Sequence, residues 1–508
     1  MLDDEHEKAY ELLKSEVKKA DENLDRATIE RDYHFTDHTD IIEKLRNVKD
    51  ELPNNPRPYD VATLLMKYIL FVKIVPKTAT ETTRLLFYNP NDGVYLENDE
   101  RLKDYIGALE PNFNEKRAND TLYILKRQVK EGVENQEYTS FGNCLYNSET
   151  EEVREFTPSI ITTRKIATNY NDRATEPIID GWTPSEWLTE VFSGDEELTE
   201  LFYQVLRACI TGKTHKKIYW LYGEGGTGKG TIQELISNVI GLDNIASIKV
   251  TDLDGNKGGS QFITAQAIGK SVIIGDDIQM NAVIKDTSVM FSIATGDIIS
   301  VERKGKDRYS ARLNVVVIQS SNGFPRMNGD TYAIQRRFVV VPFTGAFKGK
   351  PNKKIKDDYI KRKEVREWLL LEALKRKYND ITPKVSTELL EEFQEEINPI
   401  LSFAKEFFTD DLESTFLPND FVFHCFQGFL DNGRNKMTVS AQGFHKELQK
   451  LLPKNWAKGA RTIPQGQQLA SGFFPKEDTP SYARKDKYIH FRASKSPRTT
   501  ERGYIHKG

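Results

Sequence analysis

Between residues 219 and 231 the chain reads Tyr219-Trp220-Leu221-Tyr222-Gly223-Glu224-Gly225-Gly226-Thr227-Gly228-Lys229-Gly230-Thr231. The spacing Gly-x-x-x-x-Gly-Lys, behind an apolar run, suits a phosphate chain. Backbone N–H groups of such a loop cradle phosphate oxygens, and the lysine reaches the terminal ones. Gly223, Glu224, Gly225, Gly226, Thr227, Gly228, Lys229, Gly230 and Thr231 are therefore the candidate nucleotide contacts, with ATP the first ligand to consider. Gly230 stands where Ser or Thr commonly follows the lysine, so the hydroxyl for Mg²⁺ falls to Thr231. A flexible turn is the plain alternative. Ile232, Leu235, Ile236, Val239 and Ile240 then recur at helical spacing, with Gly241 as the stop. Strand, loop and helix in that order favour the phosphate loop.

Three further groups of chemically capable residues follow. Val272-Ile273-Ile274-Gly275-Asp276-Asp277 reads as an apolar strand ending in two carboxylates. Beside a phosphate loop, one acid can hold Mg²⁺ and the other polarise an attacking water. Val315 to Ser321 reads as a second apolar strand, ending at Asn322, an amide suited to orient that water and sense the γ-phosphate. Gln335-Arg336-Arg337-Phe338 precedes the strand Val339-Val340-Val341, and either arginine is a candidate finger for a neighbour's ATP. Between the strands, Lys304-Gly305-Lys306 reads as a hairpin tip with two cations, fitted to grip a DNA backbone without sequence preference.

These residues need a frame, and the composition bounds it. The 508 residues are 38% hydrophobic and 29% charged, which describes a globular chain with room for about three or four domains. No run approaches a membrane span of about 18 apolar residues. The acidic start Met1-Leu2-Asp3-Asp4-Glu5 does not read as a secretory signal. Three cysteines far apart suggest a reducing compartment and no structural zinc. Net charge is −4, yet residues 431–508 carry 16 Lys and Arg against 6 Asp and Glu. A basic end on an acidic body points to a polyanion contact.

Along the chain, Leu85–Tyr88 and Val94–Leu96 flank the turn Asn89-Pro90-Asn91-Asp92-Gly93, predicting a hairpin. A second hairpin is expected around Phe141–Tyr146. Residues 184–211 read as helical, strands alternate with helices over 218–343, and 354–396 returns to amphipathic helix. Asp252-Leu253-Asp254 reads as a loop and not as a polymerase metal site. A helix is expected over 419–430 (Phe421, Phe423, Phe426, Phe429, Leu430), and Ser440 caps a second one ending before Pro453. Lys454, Lys458, Arg461, Gln465, Gln467 and Gln468 then offer phosphate and base-edge donors. Lys485, Lys487 and Arg492 read as part of a basic wing strand.

The ordered set from Gly223–Thr231 through Asp276-Asp277, Thr295–Lys306, Ser321-Asn322 and Arg336-Arg337 resembles superfamily 3 helicases, AAA+ enzymes of small viruses, phages and plasmids. Phe141-Gly142-Asn143 through Phe156-Thr157-Pro158, with Trp182 to Trp187, resembles the poxvirus-type primase-helicase branch. The layout is most similar to Rep replication-initiator helicases of staphylococcal pathogenicity islands. The resemblance covers roughly residues 85–400. It implies that Lys229 binds the β- and γ-phosphates, that Asp276 holds Mg²⁺ through water and that Asp277 is the general base. It further implies Asn322 as sensor, Arg336 or Arg337 as finger in trans, and Lys304 and Lys306 on a DNA-translocating hairpin. The sequence departs from the family at Gly230 and in having Asp277 where Glu is common. Fewer than about 90 residues precede the first resemblance, too few for a primase domain.

The expected fold is α/β: an AAA+ P-loop core with a mostly parallel sheet, an α+β N-terminal module and a winged-helix-like C-terminal domain. The expected boundaries are 1–183 for the module, 184–350 for the core with its helical lead-in, 351–396 for a helical connector and 397–508 for the DNA-binding domain. The expected function is an ATP-dependent hexameric replicative helicase and replication initiator of a phage-like mobile element, acting in a bacterial cytoplasm. Its expected partners are single-stranded DNA in the ring channel, duplex origin DNA at the C-terminal domain, further copies of itself and host replication proteins, with no membrane. A metabolic P-loop nucleotide kinase and a non-catalytic origin-binding protein are the alternatives.

Overall fold

The computed structural model describes residues 38–75, 83–256, 259–278, 282–302, 309–327, 331–344, 352–377, 382–409, 415–432, 439–463 and 499–507. The chain divides into two compact units, 1–387 and 388–508. Among the described residues no helix is long and apolar enough to cross a membrane.

The first unit centres on five strands: β1 (Ile218–Tyr222), β2 (Ile245–Ser247), β3 (Val272–Ile278), β4 (Val316–Ser321) and β5 (Phe338–Pro342). They pair in parallel in the order β5-β1-β4-β3-β2. Parallel sheets are covered on both faces, so their strands read as continuous apolar runs. β5 and β4 are buried at every position. On one face Tyr219 and Leu221 join a core with helices α1 (Glu196–Thr211), α2 (Lys229–Ile240) and, later in the chain, Lys363–Lys375. On the other face Trp220 packs edge-on to Phe324, 5.2 Å between ring centroids. All strands point the same way, so the segments leaving β1, β3 and β4 open at one edge. The mixed α/β class with a parallel sheet is therefore as expected from the alternation of strands and helices.

Local chemistry explains the helix boundaries. The five predicted apolar positions of α2 are all buried, each contributing about 1.5–3 kcal/mol. Gly241 ends the helix at φ 92°, a conformation that disfavours side chains. The helix expected over 184–211 is instead two, Pro184–Val191 and α1. Ser193 at φ 54° and Gly194 at φ 79° turn the chain between them, and Asp195 caps α1 through Leu198 N–H. The segment 354–396 likewise resolves into Lys353–Asp357, Lys363–Lys375 and Lys384–Ile397.

Ahead of the sheet lies an α+β module. Arg84–Asn89 and Val94–Leu96 form the predicted hairpin, within a four-stranded sheet completed by Phe71–Ile74 and Glu131–Gly132. Tyr138–Ser140 pairs antiparallel with Leu145–Asn147, the second expected hairpin.

The second unit contains helices Pro399–Phe407, Asn419–Asn432 and Ala441–Leu451. Its strands Phe416–Pro418, Thr499–His506 and Trp456–Ile463 pair antiparallel in that order. The core is aromatic, with Phe426 stacked on Phe444 at 4.4 Å and Phe403 on Phe407 at 4.8 Å. Ser440 caps the third helix by accepting from Gly443 N–H, as read from the sequence. His445 Nδ1 lies 2.7 Å from the Tyr504 hydroxyl inside this core, and burial pushes its pKa down to about 4.

Candidate functional site

A cavity of about 690 Å³ opens at the edge where the parallel strands end. Gly225 to Thr231, Asp276 and Ser320 to Asn322 line it. The loop leaves β1 at Gly223, where φ is 156° and an added Cβ would sit 2.3 Å from the Phe343 carbonyl oxygen. Only glycine lets the loop pass that close. α2 begins at Lys229, and its first turn, Lys229 to Thr231, lines the cavity as helix N-termini line anion sites. Lys229 is 9% exposed. Its ammonium donates to the carbonyls of Gly223 and Glu224, the latter at 2.8 Å, and to Asn322 Oδ1 at 3.3 Å. The predicted lysine and the predicted sensor amide therefore meet. Thr227 is buried and donates to the Glu224 carbonyl at 2.8 Å. Thr231, in the first turn of the helix, lines the cavity.

The acid pair departs from expectation in one respect. β3 does not end at the acids but runs on to Ile278, and its pairing with β4 slips between Gly275 and Ile278. Such a bulge re-aims a side chain out of the pleat. Asp276 accordingly reaches the cavity, where the Ser320 hydroxyl donates to its Oδ1. Gly275 is required beside it: a Cβ there would collide with the Gln319 amide. That buried amide accepts from Val250 N–H and donates to the Ile248 carbonyl. The side chain of Asp277 lies outside the described residues.

The arginines sit elsewhere. Both end the helix Thr331–Arg337, at the start of β5. Lys217, just before β1, donates to the Arg336 carbonyl at 2.9 Å. The pair is thus at the opposite sheet edge from the loop, about 15 Å away along β1. Arg336 is exposed. Arg337 is half-buried, with its guanidinium 4.7 Å from the Phe291 ring centre. Burial, then the charge of Arg336, disfavour its charged form.

Ile298–Val301 and Tyr309–Arg312 pair antiparallel, so a hairpin stands where one was expected. Lys304 and Lys306, between those strands in the chain, lie outside the described residues, as do Gln465, Gln467, Gln468, Lys485, Lys487 and Arg492. In the second unit Lys454, Lys458 and Arg461 are all exposed. Lys458 and Arg461 lie on one strand three positions apart, so they face opposite sides. The third helix of that unit was read only for its core. Its exposed side carries Gln442, Lys446, Gln449 and Lys450, a basic and amide-rich face. Asp254 is buried and accepts from the N–H groups of Asn256, Lys285 and Asp286, a loop-holding role.

The cavity also has a wall absent from the sequence reading. Trp187, Asn352, Lys353, Ile355, Lys356 and Asp357 complete its lining. The cluster Lys353-Lys354-Ile355-Lys356 was the available signal, but nothing in its spacing relates it to the loop.

Three family models match successive parts of the chain. Residues 6–193 match one described as D5 N terminal like, and 221–337 match a family of unknown function, DUF5906. Residues 395–490 match one described as Poxvirus D5 protein-like. The first and the third support a relationship to D5-type proteins. The chain is similar to Primase D5 of fowlpox virus (strain NVSL), 28% identical over 176 residues. That match takes in 32% of this chain and spans only 22% of the fowlpox protein. Two apo structures of the NrS-1 C-terminal region resemble it at 14% identity. One has TM-score 0.44 over 78% of this chain and 86% of that one, the other 0.42 over 77% and 85%.

Proposed function

We propose that this chain is an ATP-dependent DNA helicase and replication initiator that works as a ring, six subunits by resemblance to superfamily 3. One observation carries the reading: a single cavity gathers Gly225–Thr231, Asp276 and Asn322 from three strand ends. Its volume falls within the usual range for small-ligand sites, about 300–1,000 Å³. The loop N–H groups and Lys229 would hold the phosphates of ATP. The Asp276 carboxylate and the Thr231 hydroxyl are hard oxygen donors on the same cavity, the chemistry Mg²⁺ takes beside nucleotide phosphates. Bound there, the ion would neutralise charge on the phosphates. Asn322 would orient the attacking water and Asp277 would accept its proton.

Arg336 and Arg337 lie too far from their own loop to act on its nucleotide, which supports action on a neighbour. Arg336 is the finger in this reading because it is exposed, while Arg337 is held against Phe291. The AAA+ assignment draws on the five parallel strands, with the strand ending in Asn322 inserted between loop and acid. In the second unit, the described helices and a three-stranded antiparallel sheet support a winged-helix reading, with Lys446, Lys450, Lys454 and either Lys458 or Arg461, on opposite faces of one strand, as DNA contacts. The DNA substrate draws on the similarity to the fowlpox primase and on the D5 family models. The mobile-element setting, the bacterial cytoplasm and host replication partners stay with the resemblance to island initiators.

Unwinding of a forked duplex, with ATP and without, tests the proposal. ATP-dependent strand separation, with ATPase stimulated by single-stranded DNA, is the expected result. DNA-independent phosphoryl transfer to a nucleoside monophosphate would instead favour the kinase alternative.

A further inference from the structure

The wall opposite the phosphate loop is a short helix, Lys353–Asp357, pinned from two sides. Asp180 accepts from the Tyr359 hydroxyl at 2.8 Å and from Lys354 at 3.4 Å. Glu234, on α2, takes Lys356 on one carboxylate oxygen at 3.5 Å and Lys361 on the other at 3.3 Å. So held, Lys356 reaches over Gly230: its ammonium lies 3.8 Å from where a Cβ at that position would be. Lys356 lines the cavity together with Gly228, Lys229 and Thr231.

We infer that Lys356 is a second phosphate-binding cation of this site, contributed by the segment after β5. The inference rests on the nucleotide-site reading above and deepens it. Glu234 makes the role reversible. Its ion pairs are partly exposed and individually weak, about 0–1 kcal/mol. Lys356 can transfer to a phosphate while Lys361 keeps the carboxylate paired, so no charge is stranded. Because Gly230 follows the lysine by one residue, Lys356 addresses the phosphates that ADP and ATP share, not the γ-phosphate alone.

Equilibrium binding of fluorescent ATP and ADP analogues to the full chain tests this. Lys356→Ala should weaken both nucleotides by about tenfold, equal to about 1.4 kcal/mol, and Lys356→Arg should restore binding. Glu234→Gln should bind as tightly as the unmodified protein or more tightly, because the carboxylate competes with phosphate for the same ammonium. If the ion pair only braced the fold, Glu234→Gln and Lys356→Ala would lose affinity together. That outcome, or Lys356→Ala binding within twofold of the unmodified protein, would overturn the inference. Lys229→Ala serves as the separate control. If the unmodified protein binds no nucleotide, the site reading itself fails, whereas normal binding abolished by Lys229→Ala leaves only Lys356 in question.

Discussion

The edge of the parallel sheet and the C-terminal unit present their polar groups in opposite ways. At the sheet edge, a few polar groups are held by backbone that has almost no freedom: Gly223 passes under Phe343, and a bulge at Gly275–Ile278 turns Asp276 outward. Each group has one task and no substitute. The C-terminal unit spends its sequence specificity on an aromatic core and leaves its polar donors spread over an exposed helix and strand. Chemistry on phosphate needs positioned atoms, whereas binding a polyanion needs summed charge. Substitutions should therefore act as switches in the first region and as gradients in the second.

The largest effect is expected at Lys229. Lys229→Ala removes the group joining the loop to Asn322, and ATPase measured at saturating DNA should be abolished. DNA binding by the C-terminal unit, followed by fluorescence anisotropy, should stay unchanged. A loss of both would collapse the distinction between the regions. Arg336→Ala comes next: turnover should drop by about 10³-fold while nucleotide affinity holds. Arg337→Ala should instead cost about 0.5–1 kcal/mol of stability through the lost contact with Phe291, read as a lower melting temperature.

Graded behaviour is the expectation for the C-terminal unit. Lys446→Ala and Lys450→Ala should each weaken DNA binding severalfold. Each should reduce the slope of log affinity against log salt by about 0.9. An all-or-none loss from one of them would make this surface resemble the sheet edge.

The smallest effect concerns His445. Its folded pKa is depressed to about 4 from about 6.5 unfolded, because burial, then Lys458, disfavour its charge, with Asp420 opposing. The stability this contributes is fully present above about pH 6.5 and is lost as pH falls toward about 4. The melting temperature of the C-terminal unit should decline over that window, and less so in His445→Gln.

What was legible in the sequence follows the same division. The loop could be read because glycines, lysine and the apolar positions of α2 lie within one short segment, each with a local reason. The helices at 419–432 and 441–451 could be read from phenylalanine spacing and the Ser440 cap. Three features could not. The bulge that aims Asp276 depends on β4, which arrives later in the chain yet lies between β1 and β3. Arg336 and Arg337 are equivalent as letters, and only the position of Phe291 separates them. Lys356 meets Glu234 by tertiary folding alone, so nothing periodic announced the wall it forms. Local rules revealed residues whose backbone sets their role. Roles set by a neighbour from elsewhere in the chain needed the structure.

In the proposed ring, each catalytic site combines one subunit's loop with its neighbour's arginine. Mixing two inactive variants, Lys229→Ala and Arg336→Ala, measures this directly. In a mixed ring, an Arg336→Ala subunit keeps its loop and borrows Arg336 from a Lys229→Ala neighbour. Roughly a quarter of interfaces would then be intact at equal ratio by random assembly into a ring of like interfaces. ATPase should reappear on mixing and peak near that ratio. Inactivity at every ratio, with mixed assembly verified by differently tagged chains, would contradict the account.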